Sequence, residues 1–240
     1  MWTVVQYMPV TLFSLKPATA TSSGGKTLIC PTPFALKMAL LDAALRVQAQ
    51  SDNFPLWPTL RDLRVRIRLP DQIAVINTFT KIVRPKKYGA SDDDGAGLRT
   101  PLGSTIAYRE YVSYGGAIGL AFQTAQGKPL SPEFTALFQQ INYFGKRGGF
   151  MQLLAPPVVS AEPLQGDGSA WVLLTSDQAS FSISGTLQML DDCGPGLTFD
   201  QVHIYRPKRM SLGKDRVIRH VVIPHQVVRS SRGFTLYKRV

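Results

Sequence analysis

The sequence predicts an α+β fold in which two helices lie on one face of an antiparallel sheet. Two apolar stretches at helical spacing, each opening with proline, are separated by runs of alternating apolar and polar residues that are typical of strands. Their order is β-α-β-β, an insertion, β-β-α-β and then further strands. With 44% hydrophobic residues over 240 positions, the chain can bury a substantial core. This order is that of a ferredoxin-like or RRM-like fold with additions.

The first strand and the first helix are predicted near the N-terminus. Trp2 to Leu15 is rich in Val, Thr, Tyr and Phe, and Pro9 indicates a bulge or an edge position within this strand. Thr32 is suited to the N-cap of the helix and Pro33 to its first position, where a missing N–H costs nothing. The apolar residues at helical spacing form one expected buried stripe: Phe34, Met38, Leu41 and Leu45.

A polar, glycine-containing loop joins this strand to the helix, and part of it resembles a nucleotide-binding P-loop. Gly25-Lys26-Thr27 matches the end of the pattern G-x-x-x-x-G-K-[ST]. The first glycine of the pattern would fall at Ala20, and Pro31 and Pro33 delay the helix whose N-terminus should face the phosphates. We therefore expect this loop, with its two lysines, to contact a sugar-phosphate backbone or solvent.

The clearest alternation in the chain runs from Leu63 to Leu69. One face carries four apolar residues, and the other carries three arginines: Arg64, Arg66 and Arg68. Because three like charges on one face repel each other, we expect this face to be wet or to meet anions. The preceding stretch, Ser51 to Thr59, contains Asn53 and two prolines and is predicted to be a loop.

Two further strands, Ile73 to Val83 and Ile106 to Ser113, flank an insertion that cannot pack a core. The insertion, Pro85 to Ser104, is rich in Lys, Asp and Gly. Long structureless insertions in compact domains are usually functional or disordered. We expect the flanking strands to pair as a projecting hairpin with this segment as its tip, and Ala117 to Thr124 to form the next strand.

The second helix is predicted to begin with a Ser131 cap and Pro132, and to end at Gly145 as its C′ residue. Its expected core stripe is Phe134, Leu137, Phe138 and Ile141. The glycine-rich basic turn Gly145 to Gly149 follows, flanked by three aromatic residues: Tyr143, Phe144 and Phe150. Such a turn allows close backbone approach to a ligand, whereas each aromatic is as readily explained as a core residue.

The formal net charge of +11 and the sequence pI near 9.9 favour a polyanionic partner, either nucleic acid or an acidic membrane surface. A solvated basic surface is the simpler alternative. Much of the excess lies in Gln201 to Val240, where ten Lys and Arg residues accompany one acid, Asp215. Because this segment alternates Val, Ile and Tyr, we expect folded strands there and not a disordered basic tail.

The sequence disfavours a membrane-spanning protein, a secreted protein and a cysteine-ligated metal site. No apolar run is long enough to span a bilayer and no secretory signal is visible, so we expect a cytoplasmic protein without a membrane partner. Cys30 and Cys193 lack metal-ligand spacing and fit small core residues in a reducing compartment. We expect a core over residues 1–155, with its insertion at about 82–106, and a basic β-rich extension over 156–240.

A metal-independent RNA-cleaving site is one alternative interpretation of the C-terminal region. All three histidines lie there, and His203, Tyr205 and Lys208 are residue types that can promote attack by a 2′-hydroxyl. Alternation places His203 and Tyr205 on one face of a strand, where a histidine is usually structural. No set of residues has zinc spacing, and the aspartate pairs lie in turns, so we assign no catalytic residue, metal or cofactor.

Four elements, in a fixed order over most of the chain, carry a resemblance to a known family. After the N-terminal strand come Ser22-Ser23-Gly24-Gly25-Lys26-Thr27, Pro31-Thr32-Pro33-Phe34-Ala35-Leu36, Tyr108-Arg109-Glu110-Tyr111 and Asn142-Tyr143-Phe144-Gly145-Lys146-Arg147-Gly148. These residues resemble the Cas-five family, RAMP-superfamily subunits of type I CRISPR Cascade complexes. The resemblance implies an RRM-like fold with a β-hairpin thumb at about Ile82 to Ile106. It also implies binding of the crRNA 5′ handle beside the large subunit and the first backbone subunit.

Resemblance and charge together predict a non-catalytic RNA-binding subunit. Its expected partners are the crRNA 5′ handle and the Cascade backbone and large subunits, with target DNA near the PAM-proximal end as a further candidate. The residues expected to contact RNA are Lys16, Lys26, Arg84, Lys86, Lys87, Tyr88, Arg99, Arg109, Tyr143, Lys146, Arg147, Gly148, Arg206, Lys208 and Arg209. Two alternatives stay open: an endoribonuclease that processes precursor crRNA, as some family members do, and a basic scaffold protein without an RNA partner.

Overall fold

The computed structural model describes residues 1–20, 25–47, 54–85, 102–161, 171–178, 183–206 and 208–240. Within these ranges the helices are α1 Pro33–Val47, α2 Trp57–Arg61, α3 Pro132–Leu137 and α4 Phe199–Val202. The strands are β1 Trp2–Pro9, β2 Arg64–Arg68, β3 Gln72–Pro85, β4 Leu102–Tyr114, β5 Ile118–Gln123, β6 Met151–Leu153, β7 Val158–Ser160, β8 Val172–Leu173, β9 Thr186–Cys193, β10 Arg216–Ile223, β11 His225–Ser230 and β12 Phe234–Arg239. The predicted α+β class is confirmed. Among the described helices, none is both long enough and apolar enough to cross a bilayer.

The main sheet follows the strand order β6-β1-β5-β2-β8, and β7 pairs with the start of β1. Every pair in this sheet is antiparallel. Strand β6 lies beside β1, and β2 lies on the other side of β5. The first two strands of this sheet in the chain, β1 and β2, therefore alternate with the next two, β5 and β6, as in split βαβ folds. The RRM-like arrangement predicted from the sequence is confirmed.

Helix α1 packs against the main sheet and begins as predicted. The Thr32 hydroxyl oxygen accepts a hydrogen bond from the Ala35 N–H at 3.1 Å, so Thr32 caps the helix. The buried face differs from the predicted stripe, because it is centred on Leu36, Leu40, Ala43 and Ala44. Only Leu41 of the stripe is fully buried, and the other three residues lie at the edge of the core: Phe34, Met38 and Leu45. Helical spacing alone did not reveal the difference, because β9 also packs on this helix.

The second predicted helix is shorter than expected. Helix α3 ends at Leu137, a 3₁₀ turn follows over Phe138–Gln140, and Gly145 therefore lies beyond the helix and is not its C′ residue. The Ser131 side chain makes no capping hydrogen bond; instead, the Thr135 hydroxyl donates to the Ser131 carbonyl at 3.0 Å. Good terminal residues fix where a helix can start, but not how far it continues.

The stretch predicted as a loop before β2 contains the start of a short helix, α2. Pro58 lies in the first turn of this helix, where proline is tolerated because its missing N–H would have no partner. The Trp57 side chain is buried and donates from Nε1 to the Leu197 carbonyl at 2.9 Å. Tertiary packing of Trp57 therefore decides the local structure here.

A second sheet follows the order β11-β12-β3-β4. The strands that flank the insertion, β3 and β4, pair without interruption from Ile73 opposite Tyr114 to Pro85 opposite Leu102. The predicted hairpin is therefore confirmed. On its other edge, β3 pairs with β12 only as far as Ile76, opposite Phe234.

Strands β9 and β10 form a two-stranded sheet that packs on α1. Residues of this region, such as Leu190 and Val221, belong to the same hydrophobic cluster as the main sheet. An ion pair lies inside this interface: Lys37 Nζ donates to Asp192 Oδ1 at 2.6 Å, and both side chains are almost fully buried. Cys30 and Cys193 are buried free thiols, in agreement with the prediction that they are core residues.

Candidate nucleic-acid interface

The hairpin β3–β4 extends beyond the body of the protein as a two-stranded ribbon. The Asn77 N–H donates to the Gly233 carbonyl at 2.8 Å, and beyond this point β3 has only β4 as a strand partner in the described part of the chain. Nine residue pairs follow, from Asn77 opposite Glu110 to Pro85 opposite Leu102. At roughly 3.4 Å per residue, this ribbon, residues 77–85 and 102–110, is about 27 Å long.

One face of the ribbon carries mainly apolar side chains, and these are exposed. Directly opposite residues of antiparallel strands share a face, and on this face Phe79 pairs with Tyr108, and Lys81 with Ile106. The Phe79 and Tyr108 rings form an edge contact with centroids 5.4 Å apart. Their side chains remain 55% and 67% exposed. The same face continues to the end of the ribbon with Val83 and Leu102, which are also exposed.

The ribbon is also cationic. It carries Lys81, Arg84 and Arg109, and between residues 77–85 and 102–109 the described sequence contains no acid. Glu110, at the base, is already paired with Lys26. The predicted contacts nearer the tip lie outside the described residues: Lys86, Lys87, Tyr88 and Arg99.

The loop that resembles a P-loop is fixed on the base of this hairpin. Lys26 Nζ lies 2.6 Å from Glu110 Oε1, and the Thr27 N–H donates to Glu110 Oε2 at 2.9 Å. The hydrogen bond to Glu110 raises the pKa of Lys26 above its usual value, although its side chain is largely exposed. A β-carbon at Gly25 would overlap the Tyr108 carbonyl oxygen, so glycine is required here for close approach to β4.

The glycine-rich turn, residues 145–149, lies on the N-terminal segment that joins β1 to this loop. The Thr11 hydroxyl donates to the Gly148 carbonyl at 2.7 Å and accepts from the Phe150 N–H at 2.7 Å. Gly145 has φ 72°, and a β-carbon there would lie 2.8 Å from a methyl carbon of Leu15. The turn is therefore held in place by residues 11–15.

The side chains of this turn face outward. The Arg147 guanidinium is hydrogen-bonded to the Tyr143 side chain, and this bond raises the pKa of Arg147 further above its usual value. Lys146 is exposed. Of the three flanking aromatics, Phe144 is a core residue, Tyr143 is half-buried and Phe150 is 45% exposed.

Three of the predicted groups lie along one connected stretch of structure. Phe13 pairs with Val112 of β4, and Gly149 packs against Phe13. The Leu15 N–H donates a hydrogen bond to the Thr27 hydroxyl oxygen. The segment around Phe13 thus joins the glycine-rich turn, the loop with Lys16 and Lys26, and the hairpin with Arg84 and Arg109. Residues far apart in the sequence are brought together in this way.

The fourth predicted group, near the C-terminus, lies elsewhere. Arg206 and Lys208 both pair with Asp200, so one carboxylate offsets part of their charge. Arg206 also lies over Phe199, which packs on Phe54 and Trp57. Arg209 is exposed beside them. This group is positioned by α2 and α4, not by the hairpin.

The strand predicted around His203 and Tyr205 is wrong. Residues 199–202 form α4, and His203 to Arg206 form a turn in which the Tyr205 N–H donates to His203 Nδ1 at 3.3 Å. The His203 ring makes an edge contact with Phe199 and a tilted contact with Tyr205. Helix α4 forms because Thr198 and Gln201 make a capping box.

The remaining histidines are separate from this turn. His220 pairs with Asp177, and His225 is buried with Nε2 2.8 Å from the Pro70 carbonyl oxygen. Within the described ranges, no three His, Cys, Asp or Glu side chains are close enough together to hold one metal ion.

Sequence reasoning missed the two aromatic residues of the ribbon. Strand alternation places Phe79 on the same face as Ile73 and Val75, which are buried, so it predicts a core position for Phe79. The ribbon leaves the body after Asn77, and no layer in the described structure covers that face beyond it. The signal for exposure is therefore the length of the hairpin relative to its neighbour β12, which is a property of the fold.

Comparison with solved structures shows that this chain shares its fold with a known protein. No protein-family model matches the chain, and no curated protein matches it. A solved chain described as a CRISPR RNA-guided surveillance complex is similar over 100% of this chain and 91% of its own length, with a TM-score of 0.51 and 12% identity. A CRISPR protein from Archaeoglobus fulgidus is similar over 100% of this chain and 92% of its own, with a TM-score of 0.45 and 13% identity. The first comparison confirms the fold that the sequence resemblance implied.

Proposed function

We propose that this chain is a non-catalytic RNA-binding subunit of a type I CRISPR Cascade effector, in which it caps the 5′ handle of the crRNA. One observation carries the proposal: a cationic two-stranded ribbon with exposed aromatic rings projects from an RRM-like body. The loop with Lys26 and the turn with Arg147 lie on the segment that supports this ribbon.

The ribbon has the physical properties of a surface that is covered by a partner. A two-stranded hairpin is only marginally stable in water without a further layer. Five large apolar side chains are exposed on this one: Phe79, Val83, Leu102, Ile106 and Tyr108. Fully burying one such side chain contributes about 1.5–3 kcal/mol, so binding of a partner stabilises the ribbon.

Charge and aromatic content favour RNA as the partner of the proximal half of the ribbon, the half nearer the body of the protein. Phe79 and Tyr108 offer ring surfaces on which unpaired bases can stack, and Lys81 and Arg109, which are close to this pair along the ribbon, can neutralise phosphates. No acid on the described part of residues 77–109 opposes them. The similarity in fold to a chain of an RNA-guided complex supports the same interpretation.

The distal half of the ribbon is better suited to a protein partner. Val83, Leu102 and Ile106 are aliphatic and exposed, and aliphatic side chains do not stack on bases. We propose that neighbouring backbone and large subunits of the complex contact the chain here. An interface of this kind buries apolar side chains at its centre and leaves charged residues at its rim.

The arrangement of the C-terminal turn favours a non-catalytic role. Lys208 is held by Asp200 at 2.8 Å, and His203 packs against Phe199. Incubation of the purified protein with CRISPR repeat RNA in EDTA tests this assignment. We expect binding of RNA that carries the 5′ handle and no specific cleavage. Specific cleavage would identify the endoribonuclease, and absence of RNA from the protein and its complex would identify the basic scaffold.

A further inference from the structure

A row of three arginines lies on the face of the main sheet opposite α1. Arg64 and Arg66 lie over the Trp2 ring, at 5.7 and 4.8 Å from its centroid, and Arg68 lies over Trp171 at 5.7 Å. These cation–π contacts offset part of the repulsion between the three charges. The sequence indicated that this face would be wet or would meet anions, and the contacts explain how the row is tolerated.

The row ends at an open cleft in the junction between the two sheets. The cleft has a volume of about 510 Å³. Its walls are polar and include Arg68, Asp71, Gln72, Ala117 and Arg239. It lies where β2 turns into β3 and where β4 turns into β5. The cleft therefore lies at the body end of β3 and β4. Five residues of β3, from Gln72 to Asn77, or about 17 Å at roughly 3.4 Å per residue, separate it from the point where the ribbon leaves the body.

The second arginine of the cleft is fixed before any ligand binds. Arg239 Nε lies 3.3 Å from Asp71 Oδ1, and the Arg239 guanidinium also donates to the Leu69 carbonyl. The Arg239 N–H donates to the Asp71 carbonyl at 2.8 Å, and the side chain is only 15% exposed. A guanidinium held in this way loses little conformational freedom when it binds an anion.

We propose that this cleft binds one phosphate-bearing nucleotide of a single-stranded RNA, with Arg68 and Arg239 on the side of the phosphate. The inference rests on the proposed function and adds a binding site between Arg68 and Arg239, two residues that the sequence did not bring together. The volume is within the range of small-molecule sites, and two arginines and one carboxylate leave a net positive charge. A strand of RNA that follows the ribbon onto the body and continues along β3 reaches this cleft, so the cleft extends its path.

Two variants test the cleft in different ways. Arg68→Gln removes a charge, and Ala117→Phe fills the cleft without changing any charge. The matched controls are Lys128→Gln, an exposed lysine beyond the other end of β5, and Val158→Phe, an exposed valine on β7. Dissociation constants for a fluorescent single-stranded RNA are measured by anisotropy at several salt concentrations, after thermal melting shows that each variant is folded.

We expect each cleft variant to weaken binding about tenfold, as for removal of one charged hydrogen bond, and the controls to leave it unchanged. For Arg68→Gln, the slope of log K against log salt should also become shallower by about 0.7.

If wild-type protein binds no RNA, the proposed function and this inference are both overturned. If wild-type protein binds RNA, Phe79→Ala weakens binding and both cleft variants bind normally, the inference alone is overturned. Normal RNA affinity with loss of a protein partner would assign the cleft to an acidic segment of that partner and would also overturn it.

Discussion

Phe79 and Tyr108 face each other across the two strands of the projecting ribbon, with their ring centroids 5.4 Å apart and their planes at 69°. An edge-to-face contact is one of the arrangements that aromatic pairs prefer. Here both rings are more than half exposed. The pair therefore orders two aromatic surfaces in solvent, where they are available to a partner.

Removal of either ring should weaken RNA binding without unfolding the protein. Stacking of one base on an aromatic side chain contributes about 1–3 kcal/mol, so Phe79→Ala or Tyr108→Ala should raise the RNA dissociation constant roughly fivefold to 150-fold. Because both side chains are exposed, the melting temperature should change little. Tyr205→Ala is the matched control, since this tyrosine is 78% exposed and lies in the turn after α4. Equal decreases in affinity for the Tyr205 and Tyr108 variants would contradict a specific role for the ribbon.

The glycine-rich turn is predicted to bind phosphates of the RNA. Charge reversal at Lys146 and Arg147 places two carboxylates on an exposed surface that is fixed by Thr11. We expect weaker RNA binding and a salt dependence that is shallower by about 0.7 for each phosphate that the turn no longer neutralises. Titrations at several salt concentrations measure the slope. A slope equal to that of the wild type would exclude this turn from the RNA-binding surface.

The buried pair Lys37–Asp192 should show strong coupling between its members. Burial raises the pKa of Asp192, whereas the ion pair with Lys37 and the Cys193 N–H act in the opposite direction. Lys37→Met leaves the Asp192 carboxylate without its main partner and should cost about 3–5 kcal/mol. The double variant Lys37→Met/Asp192→Leu should recover most of this stability. Urea unfolding of the two single variants and the double variant gives the coupling energy, and additive effects would show that the pair is not coupled.

His225 should make the protein less stable as the pH falls. Burial lowers its pKa below the usual value, nearby Arg239 lowers it further, and the Pro70 carbonyl and Asp71 oppose this shift. The unfolded chain therefore binds a proton more readily than the folded chain, so stability present above about pH 6.5 is lost as the pH decreases through the folded pKa.

Melting temperatures between pH 7.5 and 5.5 check this prediction. The decrease should be smaller in His225→Gln than in the wild type. His220→Gln is the control, because that side chain is about half exposed. An identical decrease in wild type and His225→Gln would assign the pH dependence to other groups.

The sequence predicted most of the framework because its signals are local. The Thr32 cap, the alternation at 63–69 and the two strands around the insertion each depend on a few neighbouring residues, and each appears in the structure. Errors arose where distant packing decides the outcome. Trp57 forms a helix because it reaches Leu197, and the buried face of α1 is shifted because β9 covers part of it.

The candidate site was only partly accessible to sequence reasoning for the same reason. The sequence shows how many cationic residues there are, but it does not show which acidic residues they pair with. The ion pairs of Lys26 with Glu110 and of Lys208 with Asp200 therefore appear only in the structure. The cleft between Arg68 and Arg239 joins residues 171 positions apart. No local pattern could have indicated it.

The central claim is that RNA lies along the ribbon, and ultraviolet crosslinking followed by mass spectrometry tests it most directly. The protein is irradiated with single-stranded RNA that carries the 5′ handle, and nucleotide adducts are mapped to peptides. We expect adducts on the peptides that contain Phe79 and Tyr108, and disappearance of the latter adduct in Tyr108→Ala. Adducts confined to other surfaces, such as the turn at Tyr205, would contradict the claim.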